Sequence, residues 1–302
     1  MVKLERILCP VDLSSTSRRA LAHAAVIARW YEARLIVLHV FNAAAPFPAA
    51  GAEFIGHTAP IPTPVSGDQV LEEVRRFVEP VVSGGPAPEI VVRDGQAVKQ
   101  IVEQAGHLRA DLLVIGTHGR SGFERFMLGS VTEKVVRKAS CPVLTVPPAE
   151  RADTEHAIFK TILCPVDFSP GTDRAVAYAL SLAQEADARL ILLHVVESSL
   201  DPVQARETAH FTVPEYDRYR REQAAEQLKV LVPANARDWC TPVEMVTSGK
   251  PHHEILRVAE QENAELIVMG VHSRGIVDLA LFGSTTNAVI RSADCPVLTL
   301  RA

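Results

Sequence analysis

Arg6-Ile7-Leu8-Cys9-Pro10-Val11-Asp12 returns as Thr161-Ile162-Leu163-Cys164-Pro165-Val166-Asp167, and Cys141-Pro142-Val143-Leu144-Thr145 returns as Cys295-Pro296-Val297-Leu298-Thr299. The spacing barely changes in between: Cys9/Cys164, Asp12/Asp167 and His39/His194 lie 155 residues apart, while Gly95/Gly249, Gly116/Gly270, Gly129/Gly283 and Cys141/Cys295 lie 154 apart. The 302-residue chain is a tandem duplication, nearly ungapped from end to end. A repeat of about 150 residues is the usual size of one domain and can bury its own core. We therefore expect two domains, residues 1–148 and 157–302, with a polar linker at 149–156 after Pro147 and Pro148.

Each copy opens with a short apolar run, Arg6 to Val11 or Thr161 to Val166, then an Asp-x-Ser turn and an Ala/Leu-rich segment with helical spacing. In copy one the helix is expected over Ser15 to Tyr31, with Leu21, Ala24, Ala25 and Ala28 on one face. Arg34 to Val40 and Arg189 to Val195 are nearly continuous apolar strands, the pattern of a sheet covered on both faces. The copies then diverge. Copy one has a Pro/Ala-rich stretch at 43–66, long enough to read as a lid or a disordered loop, and copy two a polar helix near Pro214 to Leu231. Both resume with a third strand, Glu89 to Arg93 or Val243 to Thr247, and a glycine, Gly95 or Gly249, whose expected role is a left-handed turn. A helix follows, then a fourth strand ending at Gly116 or Gly270, another helix, and a fifth strand, Pro142 to Val146 or Pro296 to Leu300. Five strands alternating with four helices predict an α/β fold: in each half a doubly wound, five-stranded parallel sheet of order 3-2-1-4-5.

Composition removes several functional classes. Thirty-one Lys+Arg against 36 Asp+Glu give a formal charge of −5, which argues against a general polyanion or nucleic-acid binder. Lys3, Glu5 and Arg6 precede an apolar run that stops at Asp12, too short and too charged for a signal peptide, and no stretch approaches the roughly 18–20 apolar residues of a membrane span. A cytoplasmic protein is expected. Five cysteines form neither an even framework nor a CxxC pair, so buried, inert thiols are expected.

The chemistry concentrates in the loop after the fourth strand, Gly116-Thr-His-Gly119-Arg-Ser-Gly-Phe-Glu-Arg-Phe-Met-Leu-Gly129-Ser130, which opens a helix over Val131 to Lys138. A helix N-terminus offers unpaired amides and positive potential, a natural seat for phosphate, and the Ser130 hydroxyl adds a donor. Asp12, at the end of the first strand, is a candidate acceptor for ribose hydroxyls. With order 3-2-1-4-5, strands one and four flank the topological switch point, so Asp12 and Gly116 should share a crevice. Structural alternatives stand beside each reading. Ser130 with Glu133 could be a capping box, Asp12 could cap the first helix, and His39 and His194 could simply be packed or bonded to backbone. His118 and His272 lie in the glycine loops; the adjacent His252-His253 point in different directions and do not read as a metal pair.

Pro-Val-Asp-x-Ser after strand one, Gly-x2-Gly-x9-Gly-Ser after strand four and Cys-Pro-Val-Leu at the end together resemble the universal stress protein family in its tandem form, over all but the 43–66 stretch and the linker. The resemblance implies a Rossmann-like fold of the adenine nucleotide alpha hydrolase type and ATP as ligand. In the first half it implies that Asp12 holds ribose, that Pro10, Val11 and Val40 line the adenine pocket, and that Gly116, Gly119, Gly129, Ser130 and Val131 hold phosphates, with Arg120 adding charge. The matching set in the second half is Pro165, Val166, Asp167, Val195, Gly270, Ser273, Arg274, Gly283, Ser284 and Thr285. Ser273 departs from the pattern: if the position needs positive φ or close approach of phosphate, serine costs about 1 kcal/mol, roughly five-fold in affinity. Two ATP-type sites are expected.

The implied role is an ATP-binding regulator of stress adaptation. Hydrolysis is at most slow, because the loop carries no Walker lysine and Asp12, which could hold Mg2+ through water, is a poor sole catalyst. No residue is assigned a catalytic role and no metal is bound by protein groups alone. Two alternatives are a nucleotide-independent interaction module using 43–66 and 197–232, and a phosphotransferase or nucleotidyl-transfer enzyme, against which HxGH, KMSKS-like and SGGxDS signatures are all missing. Exposed fifth-strand edges need partners. The resemblance implies that the two fifth strands pair within the chain; a homodimer of two chains is a further expectation, and the protein partners are unknown.

Overall fold

The computed structural model describes residues 2–41, 67–82, 86–119, 128–148, 159–197, 213–238, 240, 242–271 and 283–301. The 43–66 stretch, the 149–156 linker, Arg120, His272, Ser273 and Arg274 lie outside them. The first half runs β1 (Arg6–Val11), α1 (Ser15–Trp30), β2 (Arg34–Phe41), α2 (Gly67–Val78), β3 (Glu89–Asp94), α3 (Ala97–His107), β4 (Leu112–Gly116), α4 (Ser130–Lys138) and β5 (Val143–Val146). The second repeats it as β6 (Thr161–Pro165), α5 (Thr172–Ala186), β7 (Arg189–Val196), α6 (Val213–Leu231), β8 (Val243–Ser248), α7 (Pro251–Gln261), β9 (Leu266–Val271), α8 (Ser284–Ser292) and β10 (Val297–Arg301).

All ten strands form one sheet, ordered β3-β2-β1-β4-β5-β10-β9-β6-β7-β8. Each half thus has the 3-2-1-4-5 order expected from sequence. Because β1, β2, β6 and β7 are apolar through their central positions, successive residues feed opposite apolar faces. Ile7, Cys9, Leu35 and Val37 enter one apolar layer under α1, α2, α5 and α6, and Leu8, Ile36 and Leu38 enter the other under α3, α4, α7 and α8. Both layers run through both halves. Cys9, Cys141, Cys164 and Cys240 are buried within this framework, and burial pushes the Cys141 thiol to about 11 and the Cys164 thiol to about 12, so these sulfurs are unreactive.

The halves join where β5 pairs antiparallel with β10, Leu144 facing Leu298 at the pseudo-twofold. Two buried threonines exchange equivalent bonds across it: Thr145 Oγ1 donates to the Val297 carbonyl and Thr299 Oγ1 to that of Val143, each at 3.1 Å. The pairing closes the edge that each half would otherwise expose. On one face the join is not symmetric. His23 of α1 stacks on Phe159 with ring centroids 5.4 Å apart and Trp30 meets the same ring edge-on, whereas the repeat places Tyr178 and Leu4 at the matching positions.

Backbone detail is duplicated too. Positive φ occurs in pairs: Leu13 and Phe168, Glu32 and Asp187, Arg109 and Asn263, Gly95 and Gly249. The second and third pairs follow helix ends, where a left-handed residue turns the next amide back onto a carbonyl of the last turns, as Ala33 donates to Ala28 and Ala264 to Ala259. Gly95 and Gly249, at φ 128° and 149°, are the left-handed turns expected, each amide donating to the last carbonyl of the neighbouring strand, Phe41 of β2 and Val196 of β7.

Candidate functional site

β1 delivers Asp12 to its C-terminal end, and the next residue, Leu13, is left-handed at φ 66°. A bulky residue there is strained, and the surroundings hold it. Asp12 Oδ1 accepts from the Ser14 amide at 3.1 Å and its hydroxyl at 2.5 Å, making a tight Asx turn. Ser14, not Asp12, is the N-cap of α1, its hydroxyl oxygen accepting from the Ser17 amide at 3.2 Å. Asp12 as a helix cap is therefore corrected: its carboxylate orients the turn that carries the cap. His39 anchors the same strand end, its Nδ1 donating to the Val11 carbonyl at 2.8 Å; His194 does the same to Val166 at 2.9 Å. Carbonyls only accept, so Nδ1 carries the proton in both rings. His194 also tilts against the left-handed Phe168 at 4.5 Å, and burial above all, with Arg220 nearby, lowers its pKa.

The glycine loop comes back onto this turn at three points. A Cβ on Gly116 would stand 2.9 Å from Thr16 Cγ2, one on Gly119 2.8 Å from Asp12 Oδ2, and one on Gly129 2.9 Å from the Thr117 carbonyl oxygen. Each glycine sits at a close approach, to backbone as well as side chain at Gly116, to backbone at Gly129 and to a carboxylate oxygen at Gly119, and none of the three has positive φ. Hydrogen bonds tie the loop base: the Gly129 amide donates to Thr117 at 2.7 Å and the buried Thr132 hydroxyl to the Gly116 carbonyl at 2.7 Å. Gly129 is the N-cap of α4, which makes Ser130 and Val131 its first two residues. The capping box is absent; the Glu133 carboxylate instead faces Arg137 at 3.2 Å and Arg291 of α8 at 3.6 Å. Asp12, Gly116, Gly119 and Gly129 are thus brought together at the C-terminal ends of β1 and β4. Pro10 and Val11 close β1 beside them, and Val40 lies one residue beyond His39, the register partner of Val11.

In the second half Pro165 ends β6, and the Val166 amide bonds Leu193 at 2.8 Å. Asp167 Oδ1 accepts from the amide of Ser169 at 3.2 Å, from the Ser169 hydroxyl, and from Thr172 Oγ1 at 3.1 Å. Val195 lies on β7 and Gly270 on β9; Gly283 is the N-cap of α8, followed by Ser284 and Thr285. Ser273 stands where the first half has Gly119. Of the two requirements expected at this position, positive φ is absent at Gly119, and the group that a Cβ there would meet is the Asp12 carboxylate. Leu13, Phe168, Thr16 and Thr117 were not singled out from sequence, since nothing in a leucine or phenylalanine advertises a left-handed backbone.

A cavity of about 260 Å³ opens at the opposite end of the sheet, lined by Ala28, Glu32, Leu35 and Val82, and shares no residue with the crevice. Among the described residues no group of three or more His, Cys, Asp or Glu side chains is arranged to hold a metal, and no helix is long and apolar enough to cross a membrane.

Two doubly wound halves, joined in one ten-stranded sheet and each carrying an aspartate at the end of its first strand, define a tandem α/β protein. The model of the universal stress protein family matches residues 3–147 and again 158–301, and the chain belongs to that family. A universal stress protein of Methanocaldococcus jannaschii is 34% identical over 142 residues, covering 47% of this chain and 81% of that one. Another, from Mycolicibacterium smegmatis, is 25% identical over 98% of this chain and 96% of its own length. The crystal structure of a universal stress protein from Archaeoglobus fulgidus shares the fold across 99% of this chain and 97% of its own, with a TM-score of 0.64 at 22% identity.

Proposed function

We propose that both crevices bind an adenine nucleotide, ATP above all, and that the protein is a cytoplasmic, nucleotide-dependent regulator of stress adaptation, not an efficient enzyme. The observation that carries this reading is the approach of Gly119 to Asp12 Oδ2, where a Cβ would fall at 2.8 Å. A side chain there would press on the Asp12 carboxylate, and glycine avoids that contact. Asp12 would accept hydrogen bonds from the ribose hydroxyls, Pro10, Val11 and Val40 would line the base, and the amides of Gly129, Ser130 and Val131 would receive phosphate oxygens with the helix dipole behind them. Gly116 and Arg120 complete the first set. In the second, Asp167, Pro165, Val166, Val195, Gly270, Ser273, Arg274, Gly283, Ser284 and Thr285 take the same parts. Mg2+ would be held through water at the aspartate and the phosphates. The domain boundaries expected from sequence, 1–148 and 157–302, and association of two chains as a homodimer belong to the same proposal.

Calorimetry with ATP and AMP on the wild-type chain and on Gly129→Glu tests it. Two sites should fall to one when bulk and negative charge replace the phosphate seat, and Asp12→Ala, which adds no bulk, should weaken the same site at least ten-fold. Wild-type protein that binds neither nucleotide would overturn the proposal and leave the interaction module as the better reading.

A further inference from the structure

The C-terminus of α4 is finished by the other half of the molecule. Val136 and Arg137 carry two of the last carbonyls of this helix, which have no partner within it. Arg301, at the end of β10, donates from Nη2 to both, at 3.3 Å to Val136. The antiparallel register, continued past Thr299 opposite Val143, puts Arg301 opposite Cys141, just beyond the end of α4. The strand end is itself held: Arg174 of α5 donates to the Arg301 carbonyl at 2.6 Å, as Arg19 of α1 does to Pro147 at 2.9 Å. These twin bonds show that Arg301 and Pro147 are equivalent positions. Proline has no side-chain donor, so this position cannot supply α8 with the matching bond. A second arginine from the same half, Arg291, faces Glu133 in the first turn of α4, where the second half has Asn287.

We propose that Arg301 is a positioning residue for the first crevice: a cation supplied by the second half that raises phosphate affinity at the N-terminus of α4 without touching the ligand. This rests on the proposed nucleotide binding. Two effects act together. The guanidinium satisfies the last carbonyls and holds α4 helical to its end, and its charge, about 13 Å from the N-terminus along nine residues, adds to the positive potential there. Arg291 works in the same direction by offsetting the Glu133 carboxylate, which would otherwise repel an anion. The effect scales with ligand charge, so ATP should feel it and adenosine should not.

The test uses the full chain with the second crevice blocked by Gly283→Glu, titrated with ATP and with adenosine. Arg301→Gln, which keeps a donor but loses the charge, should weaken ATP about three- to ten-fold, a partly screened Coulomb effect, and change adenosine less than about two-fold. Arg301→Lys should restore most of the loss. With the first crevice blocked instead, by Gly129→Glu, ATP at the second should not respond to Arg301. Equal losses for ATP and adenosine, or ATP binding indifferent to Arg301→Gln, would overturn the inference while leaving nucleotide binding intact. A wild-type chain that binds no nucleotide removes both.

Discussion

Asp12-Leu13-Ser14 and Asp167-Phe168-Ser169 share a backbone down to the strained left-handed residue, at φ 66° and 55°, yet they feed different helices. In the first half Ser15 and Thr16 follow, Ser14 caps α1, and the helix starts at once. In the second, Pro170 and Gly171 occupy those places; α5 starts only at Thr172, its N-cap Gly171 has no side chain to offer, and the Thr172 hydroxyl turns back to Asp167. Thr16 packs against Gly116, and Gly171 has no side chain with which to do the same. Duplication preserved the points where the backbone is special and changed the residues that follow them, Thr16 giving way to Gly171.

The largest test of this asymmetry is acid. His23 is buried at the join with Nδ1 unpartnered, and burial first, then the Arg19 charge, lowers its pKa to about 3; Tyr178 stands at the equivalent position in the second half. A neutral folded histidine and an unfolded one titrating near 6.5 mean that stability is unaffected above that pH and is lost below it, as the unfolded chain takes up a proton the folded chain refuses. Between pH 6.5 and 4.5 the loss should be roughly 2–3 kcal/mol, at about 1.4 kcal/mol per pH unit. His23→Phe keeps a ring on Phe159 and should remove that component; urea midpoints at the two pH values that fall in parallel for both proteins would show that His23 is not the sensor.

A smaller difference should appear at the ends of the fourth strands. Gly116→Ala drives a methyl into Thr16 and should cost about 1–3 kcal/mol in a thermal melt, while Gly270→Ala, in the half where the repeat has Gly171 in place of Thr16, should cost clearly less. Equal costs would mean that Thr16 is not the constraint. The smallest effect is a swap in the loops. Gly119→Ser should weaken ATP in the first crevice about five-fold, near 1 kcal/mol, and Ser273→Gly should strengthen the second by a similar factor, both read by calorimetry. If Ser273→Gly changes nothing, the second crevice has already adapted to its serine.

Strand positions were legible to within about a residue because apolar runs and the glycines that end them are local features: Arg6–Val11 was placed as found, and Val143–Val146 lost only Pro142 at its start. Helix α2 was not placed in the first half, since its pattern of Val70, Val74, Phe77 and Val78 follows directly on a long Pro/Ala-rich stretch. At the crevice the aspartate and glycines were legible as residue types, but the reason for them was not. Ser130 and Glu133 have capping-box spacing, but Gly129 is the N-cap, and Arg137 one turn along the helix and Arg291 from the other half face the Glu133 carboxylate.

The sequence by itself determined the duplication, the α/β class, the sheet order and the family, because periodicity, spacing and glycine punctuation are properties of neighbours along the chain. Tertiary structure alone decided that the two sheets become one through β5 and β10, that the glycines make room for Thr16, Asp12 and Thr117, and that Arg301 of one half finishes a helix of the other. In most of these contacts the partners are a hundred residues or more apart, and only packing sets their separations.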